Sequence, residues 1–331
     1  MRWCTVGATN RNRALMLTTL FRSVWQWGSF VKFSHTIFAL PFALASMALA
    51  ARATQGWPGW RTFGLILLAM AGGRTCAMAF NRIVDRHYDA LNPRTAGRHL
   101  PAGKLSLASA WTLCALSGAA LVGAAWGLNP LCFWLSPLAL FLVCFYSVTK
   151  RFTDFTQVWL GVALAVAPVG AWLAVKGSLQ FWPDATAVGA TAWLSGSAYV
   201  PISLAVAVML WLIGFDLIYA TQDYDFDRRQ GLRSLVTRWG PDNALAVAFI
   251  SHLFTWAWFV LVGVLSRFRL AYWIGLVLIL ALLLMEHSLA RRKTPEATNA
   301  AFFKMNATIS ITYVVVVICE ILFPWFRLRV Y

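Results

Sequence analysis

Nine apolar stretches of about twenty residues each recur along the chain, separated by short polar connections. They lie near 33–51, 62–80, 107–126, 131–148, 156–175, 201–221, 244–265, 270–289 and 308–325. A helix of roughly 20 residues, rising about 1.5 Å per residue, crosses the ~30 Å hydrocarbon core of a bilayer. The pattern therefore predicts an all-α, polytopic membrane protein, a nine-helix transmembrane bundle. Residues 33–331 are expected to form one domain, preceded by a basic interfacial segment at 1–32. Pro41 and Pro168 interrupt the first and fifth spans, where neighbouring helices can re-satisfy the freed backbone groups. Gly72, Gly73 and Gly161 would let helices approach closely.

Composition agrees with the pattern. Of 331 residues, 60% are hydrophobic and 12% charged, against about 25% charged in a soluble domain. No polar stretch is long enough for a separate soluble unit. The net charge of +16 is dispersed in short connections, which argues for topology and against nucleic acid. With the N-terminus in the cytoplasm, twenty of the 28 Lys and Arg fall on inside segments and seven outside, and Arg74 lies within a span. The basic N-terminus lacks an apolar core followed by a small-residue cleavage site, so no removable signal is expected. A bacterial cytoplasmic membrane is the simplest location.

Six cysteines are scattered, mostly within apolar runs, with no C-x-x-C pair. Neither a disulfide framework nor a structural zinc site is indicated, and they are expected to be small, reduced core residues. His35 stands at the mouth of the first span as an interfacial residue. His252 and the Glu286–His287 pair fall on later spans, with no partner set evident in the sequence.

The acids are distributed unlike everything else. Six of the 12 Asp and Glu sit in two clusters at the ends of spans two and six: Asp85 and Asp89, then Asp216, Asp223, Asp225 and Asp227. Carboxylates beside hydrocarbon are costly and mark ligand sites. Residues four apart share a helix face, so Asn81, Asp85 and Asp89 form one oxygen-rich stripe, and Asp223 and Asp227 another. Asp225 points off that face. The assumed orientation puts both clusters on the cytoplasmic side. Such stripes suit Mg²⁺, which takes a few carboxylates and completes its shell with water and phosphate oxygens. Arg82, Arg86, Arg94, Arg98 and Lys104 surround the first cluster, and Arg228, Arg229 and Arg233 follow the second. Tyr146, Lys150 and Arg151 end span four on the same side. Arg74 and Asp216 lie deeper; Arg74 either binds an anion or forms a salt bridge, with Asp216 as one partner. Asp216 either orients or deprotonates an acceptor or balances Arg74. A prenyl diphosphate, with its apolar tail in the bundle, fits these features.

The run N-x-x-x-D-x-x-x-D at 81–89, followed by Asn92, Pro93, Arg94, Thr95, Gly97, Arg98, Pro101 and Gly103, resembles the UbiA superfamily of intramembrane prenyltransferases. The likeness extends through Tyr146, Lys150 and Arg151 to Asp216 and Tyr219, and to Asp223 and Asp227. It implies that Asn81, Asp85 and Asp89 bind one Mg²⁺ and Asp223 and Asp227 a second. It also implies that Arg74, Arg98, Tyr146, Lys150, Arg151 and Tyr219 contact substrate and that Asp216 belongs to the catalytic set. Within the superfamily the sequence is similar to 4-hydroxybenzoate polyprenyltransferases of ubiquinone synthesis. It is similar too to relatives of the futalosine menaquinone route, which prenylate a dihydroxynaphthoate. The stretch from Lys32 through His35 to Pro41 reads like the latter subgroup, and His99 departs from a proline common in the former. The expected activity is transfer of a polyprenyl group from polyprenyl diphosphate to 4-hydroxybenzoate, ortho to its hydroxyl, with release of pyrophosphate. The acceptor alternative is a hydroxynaphthoate, and the alternative from another class is a secondary transporter.

Overall fold

The fold was analysed in a computed structural model, which describes residues 27, 28, 30, 36–182 and 197–323. Most of the expected interfacial segment 1–32, and His35, lie outside the described residues.

The described chain is helical throughout. Helix α1 spans Thr36–Ala50, α2 Trp60–Leu91, α3 Leu107–Leu128, α4 Pro130–Thr149, α5 Thr156–Lys176 and α6 Tyr199–Ala220. A 3₁₀ turn at Thr221–Asp223 leads to two short helices, α7 at Tyr224–Arg229 and α8 at Leu235–Trp239. Helices α9 (Pro241–Leu265) and α10 (Leu270–Ala290) follow. The chain then runs through α11 (Pro295–Asn299), a π turn at Ala300–Met305 and α12 (Asn306–Leu322). Eight helical segments are long and apolar enough to cross a membrane, and Phe38–Ala50 is a shorter apolar helix in the position of the first expected span. The protein is an integral membrane protein.

Local sequence explains where these helices begin. Ser106 accepts from the Ser109 amide to cap α3. Asn129 caps α4 just before Pro130, whose missing N–H costs nothing at the first helical position. Ser234 and Thr237 form a reciprocal capping box for α8. Inside the bundle, glycines set two close contacts. A Cβ at Gly72 would stand 2.7 Å from the Ser117 carbonyl on α3, and one at Gly161 would stand 2.9 Å from the Met209 carbonyl on α6. Pro168 within α5 is tied to α1, where the Ser46 hydroxyl donates to the Pro168 carbonyl at 2.6 Å.

The largest buried side chains gather around α6, α9, α10 and α12. Phe42 of α1 stacks on Phe259 at 5.9 Å and meets Tyr313 at 5.2 Å. Two expectations change here. The cysteines are not all dispersed: the Cys76 sulfur lies 3.7 Å from that of Cys114 and 4.0 Å from that of Cys144, joining α2, α3 and α4. His252, Glu286 and His287 do have a partner set. His252 Nδ1 is 2.9 Å from His287 Nε2, and Glu286 accepts from Asn306 at 2.8 Å. These groups are 20 to 68 residues apart in sequence, so only tertiary packing brings them together.

Candidate active site

Helix α2 runs 32 residues, longer than its apolar stretch, and its last turns carry the first acid stripe past the hydrocarbon. Asn81 Nδ2 donates to Asp85 Oδ2 at 3.0 Å, so these two share a face as the four-residue spacing predicts. Asp85 Oδ1 also accepts from Arg151 Nη2 at 3.1 Å. One turn on, buried Asp89 accepts from Arg98 Nη1 at 2.5 Å, with Arg82 at 3.7 Å; its Oδ2 is buried without a hydrogen-bond donor.

Pro93 ends the helix and turns the chain toward α6. Asn92 Nδ2 donates to Asp223 Oδ1 at 3.1 Å, and Arg94 Nε donates to the same oxygen at 2.9 Å. Arg94 Nη2 donates to Asp223 Oδ2, completing a two-point fork. Its third arm, Nη1, donates to the Tyr219 hydroxyl at 3.1 Å, and the guanidinium lies 5.5 Å from that ring's centre. Burial works against the Arg94 charge, but the hydrogen bonds and charge of Asp223 outweigh it and hold its pKa above the ordinary arginine value.

The second cluster spans a change of helix type. Helix α6 stops at Ala220, and the 3₁₀ turn separates Asp223 from Asp227 on α7. Asp223 therefore faces Arg94, whereas buried Asp227 faces Lys150 Nζ at 3.5 Å. Lys150, just beyond α4, stands between the clusters. Burial alone would lower its pKa, but the charges of Asp227, Asp216, Asp223 and Asp85 raise it, so it stays protonated. Asp225 is exposed, as its position predicts.

The deeper pair departs from one expectation. Among the described residues no ion pair joins Arg74 to Asp216; the electrostatic neighbour of Arg74 is Tyr146, and its Nε is buried without a hydrogen-bond partner. The charged neighbours of Asp216 are Lys150, Asp223 and Asp227. All twelve residues expected at the site from sequence nonetheless line one cavity of about 260 Å³. Asn92 and Arg94 join them, and the signal was present in the Asn–Pro–Arg run that stops α2. Phe38, Phe215 and Phe302 form an aromatic wall; nothing in their sequence context marks them.

Oxygen donors from two helices at one cavity, with an orphaned Asp89 oxygen, suit a hard divalent cation. Among the described residues no three acidic, His or Cys side chains are grouped closely enough to hold a metal by themselves. Mg²⁺ does not require that, because it keeps waters and shares phosphate oxygens. The cationic side chains around the carboxylates could bind the same polyanion.

Residues 39–308 match the UbiA prenyltransferase family. A 4-hydroxybenzoate octaprenyltransferase from Tolumonas auensis is 31% identical over 254 residues, covering 75% of this chain and 81% of that protein. The apo structure of a UbiA homologue from Aeropyrum pernix superposes with a TM-score of 0.73 at 30% identity, covering 86% of this chain and 98% of that one. A UbiA homologue from Archaeoglobus fulgidus bound to GPP and Mg²⁺ shares the fold, with a TM-score of 0.64 at 20% identity over 88% of this chain and 99% of that one.

Proposed function

The chain belongs to the UbiA prenyltransferase family, and from that premise we propose that it transfers a polyprenyl group from polyprenyl diphosphate to 4-hydroxybenzoate, with Mg²⁺ as cofactor. Membership in a family of enzymes sets aside the transporter alternative. The observation that carries the proposal is that Lys150 lines one cavity with the acids of both clusters, its Nζ 3.5 Å from Asp227 Oδ2. One diphosphate at that lysine is within reach of both clusters.

Asn81, Asp85 and Asp89 on one side, and Asp223 and Asp227 on the other, would hold the metal. Bound there, Mg²⁺ supplies neutralisation of the charge that builds on the departing diphosphate. Lys150, Arg94, Arg98 and Arg151, now engaged with carboxylates, are the side chains at hand for the phosphate oxygens. Breaking the allylic carbon–oxygen bond leaves a carbocation, and the faces of Phe38, Phe215 and Phe302 provide a water-poor wall that favours positive charge. The acceptor ring attacks ortho to its hydroxyl and then loses a proton. Asp216, about two turns before Asp223, is the carboxylate placed to orient the acceptor or take that proton. Arg74 and Tyr146 border the deeper part of the cavity.

A second, apolar cavity of about 400 Å³ supports the assignment of the tail. Ile66 and Met70 of α2 line it, and Arg74 and Met78, successive turns of the same stripe, line the first cavity. Helix α4 repeats the arrangement, with Ala139 and Leu142 in one cavity and Tyr146 and Lys150 in the other. The proposal treats residues 33–331 as one catalytic domain with the acid end facing the cytoplasm of a bacterial inner membrane.

The test uses membranes containing the chain, a polyprenyl diphosphate, and either 4-hydroxybenzoate or a dihydroxynaphthoate. Mg²⁺-dependent formation of prenylated hydroxybenzoate is expected. Product from the naphthoate alone would move the acceptor to the menaquinone class, and no product from either would overturn the proposal.

A further inference from the structure

Behind α6, on the side away from the carboxylates, a polar cluster is buried where a membrane protein can least tolerate one. Glu286 and Asn306 are 0% exposed, and His252 and His287 are buried beside them. The cluster adjoins a break in the helical ladder. Residues 300–305 form a π turn, a rare geometry that is frequent at functional sites. The Asn306 side-chain amide donates to two carbonyls of this turn, Ala301 at 3.2 Å and Phe302 at 3.1 Å. It also donates to Glu286 Oε1 at 2.8 Å, which fixes the amide's orientation. On the far side, His252 Nε2 lies 3.1 Å from the Trp211 carbonyl of α6. The His252 ring occupies the space that any side chain at Gly214 would need.

The π turn points Phe302 at the active cavity. The Phe302 ring centre is 4.2 Å from that of Tyr219 and 5.3 Å from that of Phe215. Tyr219 accepts from Arg94, and Arg94 grips Asp223. A continuous path of packed or hydrogen-bonded groups thus runs from Glu286 through Asn306, Phe302, Tyr219 and Arg94 to a carboxylate of the second cluster.

We infer that Asn306, oriented by Glu286, is a positioning residue for prenyl transfer: it fixes the π turn that presses Phe302 against Tyr219 and so holds Arg94 on Asp223. Neither residue touches the cavity, and both act through the two aromatic rings. The inference rests on the site reading given above.

Four comparisons in purified, bilayer-embedded protein test it. Asn306→Ala and Phe302→Leu each lower the prenyl-transfer rate about tenfold, within the range for groups that orient metal ligands from outside. Because both cut one path, the double variant falls no further than the worse single variant. Glu286→Gln retains the rate, since its amide oxygen still accepts from Asn306, whereas Glu286→Ala loses about tenfold. With fluorophenylalanine at position 302, the fluorine NMR line of the substrate-free protein moves on Asn306→Ala as the ring leaves Tyr219. Multiplying losses in the double variant, an unmoved fluorine line, or equal damage from Glu286→Gln and Glu286→Ala would each overturn the inference. Asp85→Ala separates the two readings. If it is inactive while Asn306→Ala keeps the full rate, only the positioning role fails; if Asp85→Ala is active, the site itself has been misassigned.

Discussion

The first acid cluster rides on the end of an unbroken 32-residue α-helix, whereas the second straddles a 3₁₀ turn at Thr221–Asp223. Both carry carboxylates four residues apart. On α2 that spacing produces a shared face, with Asn81 bonded to Asp85. After α6 it produces two carboxylates held by different cations, Asp223 by Arg94 and Asp227 by Lys150. The first cluster shares a face of one helix, with Arg151 and Arg98 reaching its carboxylates from beyond that helix. The second depends on groups from elsewhere in the chain: Asn92 and Arg94 beyond α2, Lys150 beyond α4, and Phe302 behind Tyr219.

If the clusters act on one ligand despite this difference, removing a carboxylate from either should have the same, largest effect. Asp85→Ala and Asp223→Ala are each expected to lower the transfer rate on the order of 10²–10³-fold, the scale of losing one preorganised charge-stabilising group, measured as initial rate at saturating Mg²⁺. Lys150→Met comes next, with a loss of about 10²-fold, because it removes a cation that shares the cavity with both clusters. Arg94→Gln should weaken prenyl diphosphate use about tenfold, read as kcat/KM, and should affect only the second cluster's support. Arg94→Lys should not restore it, since a point charge cannot reproduce the two-point fork. At the small end, Asp225→Asn should leave the rate within about twofold, as expected for an exposed residue clear of such features.

Much of this was legible along the chain, and the exceptions share a cause. Apolar stretches near the length of a bilayer crossing marked eight of the nine spans to within a few residues. The four-residue spacing of Asn81, Asp85 and Asp89 placed them correctly because α2 continues through them. The 3₁₀ turn after Ala220 carried no warning: Thr221, Gln222 and Asp223 include neither Gly nor Pro, and Arg94 reaches Asp223 only in the folded bundle. Of the two alternatives for Arg74, the one that pairs it with Asp216 has no ion pair among the described residues, for a similar reason. Depth in a span can be counted from sequence, but which residue lies across the bundle cannot. Glu286 had no partner evident in the sequence, because Asn306 lies 20 positions further on and reaches it only in the folded bundle.

The central claim is that both acid clusters serve a single diphosphate. Calorimetric titration of prenyl diphosphate into the purified protein, with and without Mg²⁺, tests it most directly when Asp85→Ala, Asp223→Ala and the double variant are run beside the wild type. The account predicts Mg²⁺-dependent binding that either single variant abolishes and that the double variant cannot worsen. Binding that ignores Mg²⁺, or that survives the loss of one cluster intact, would contradict it.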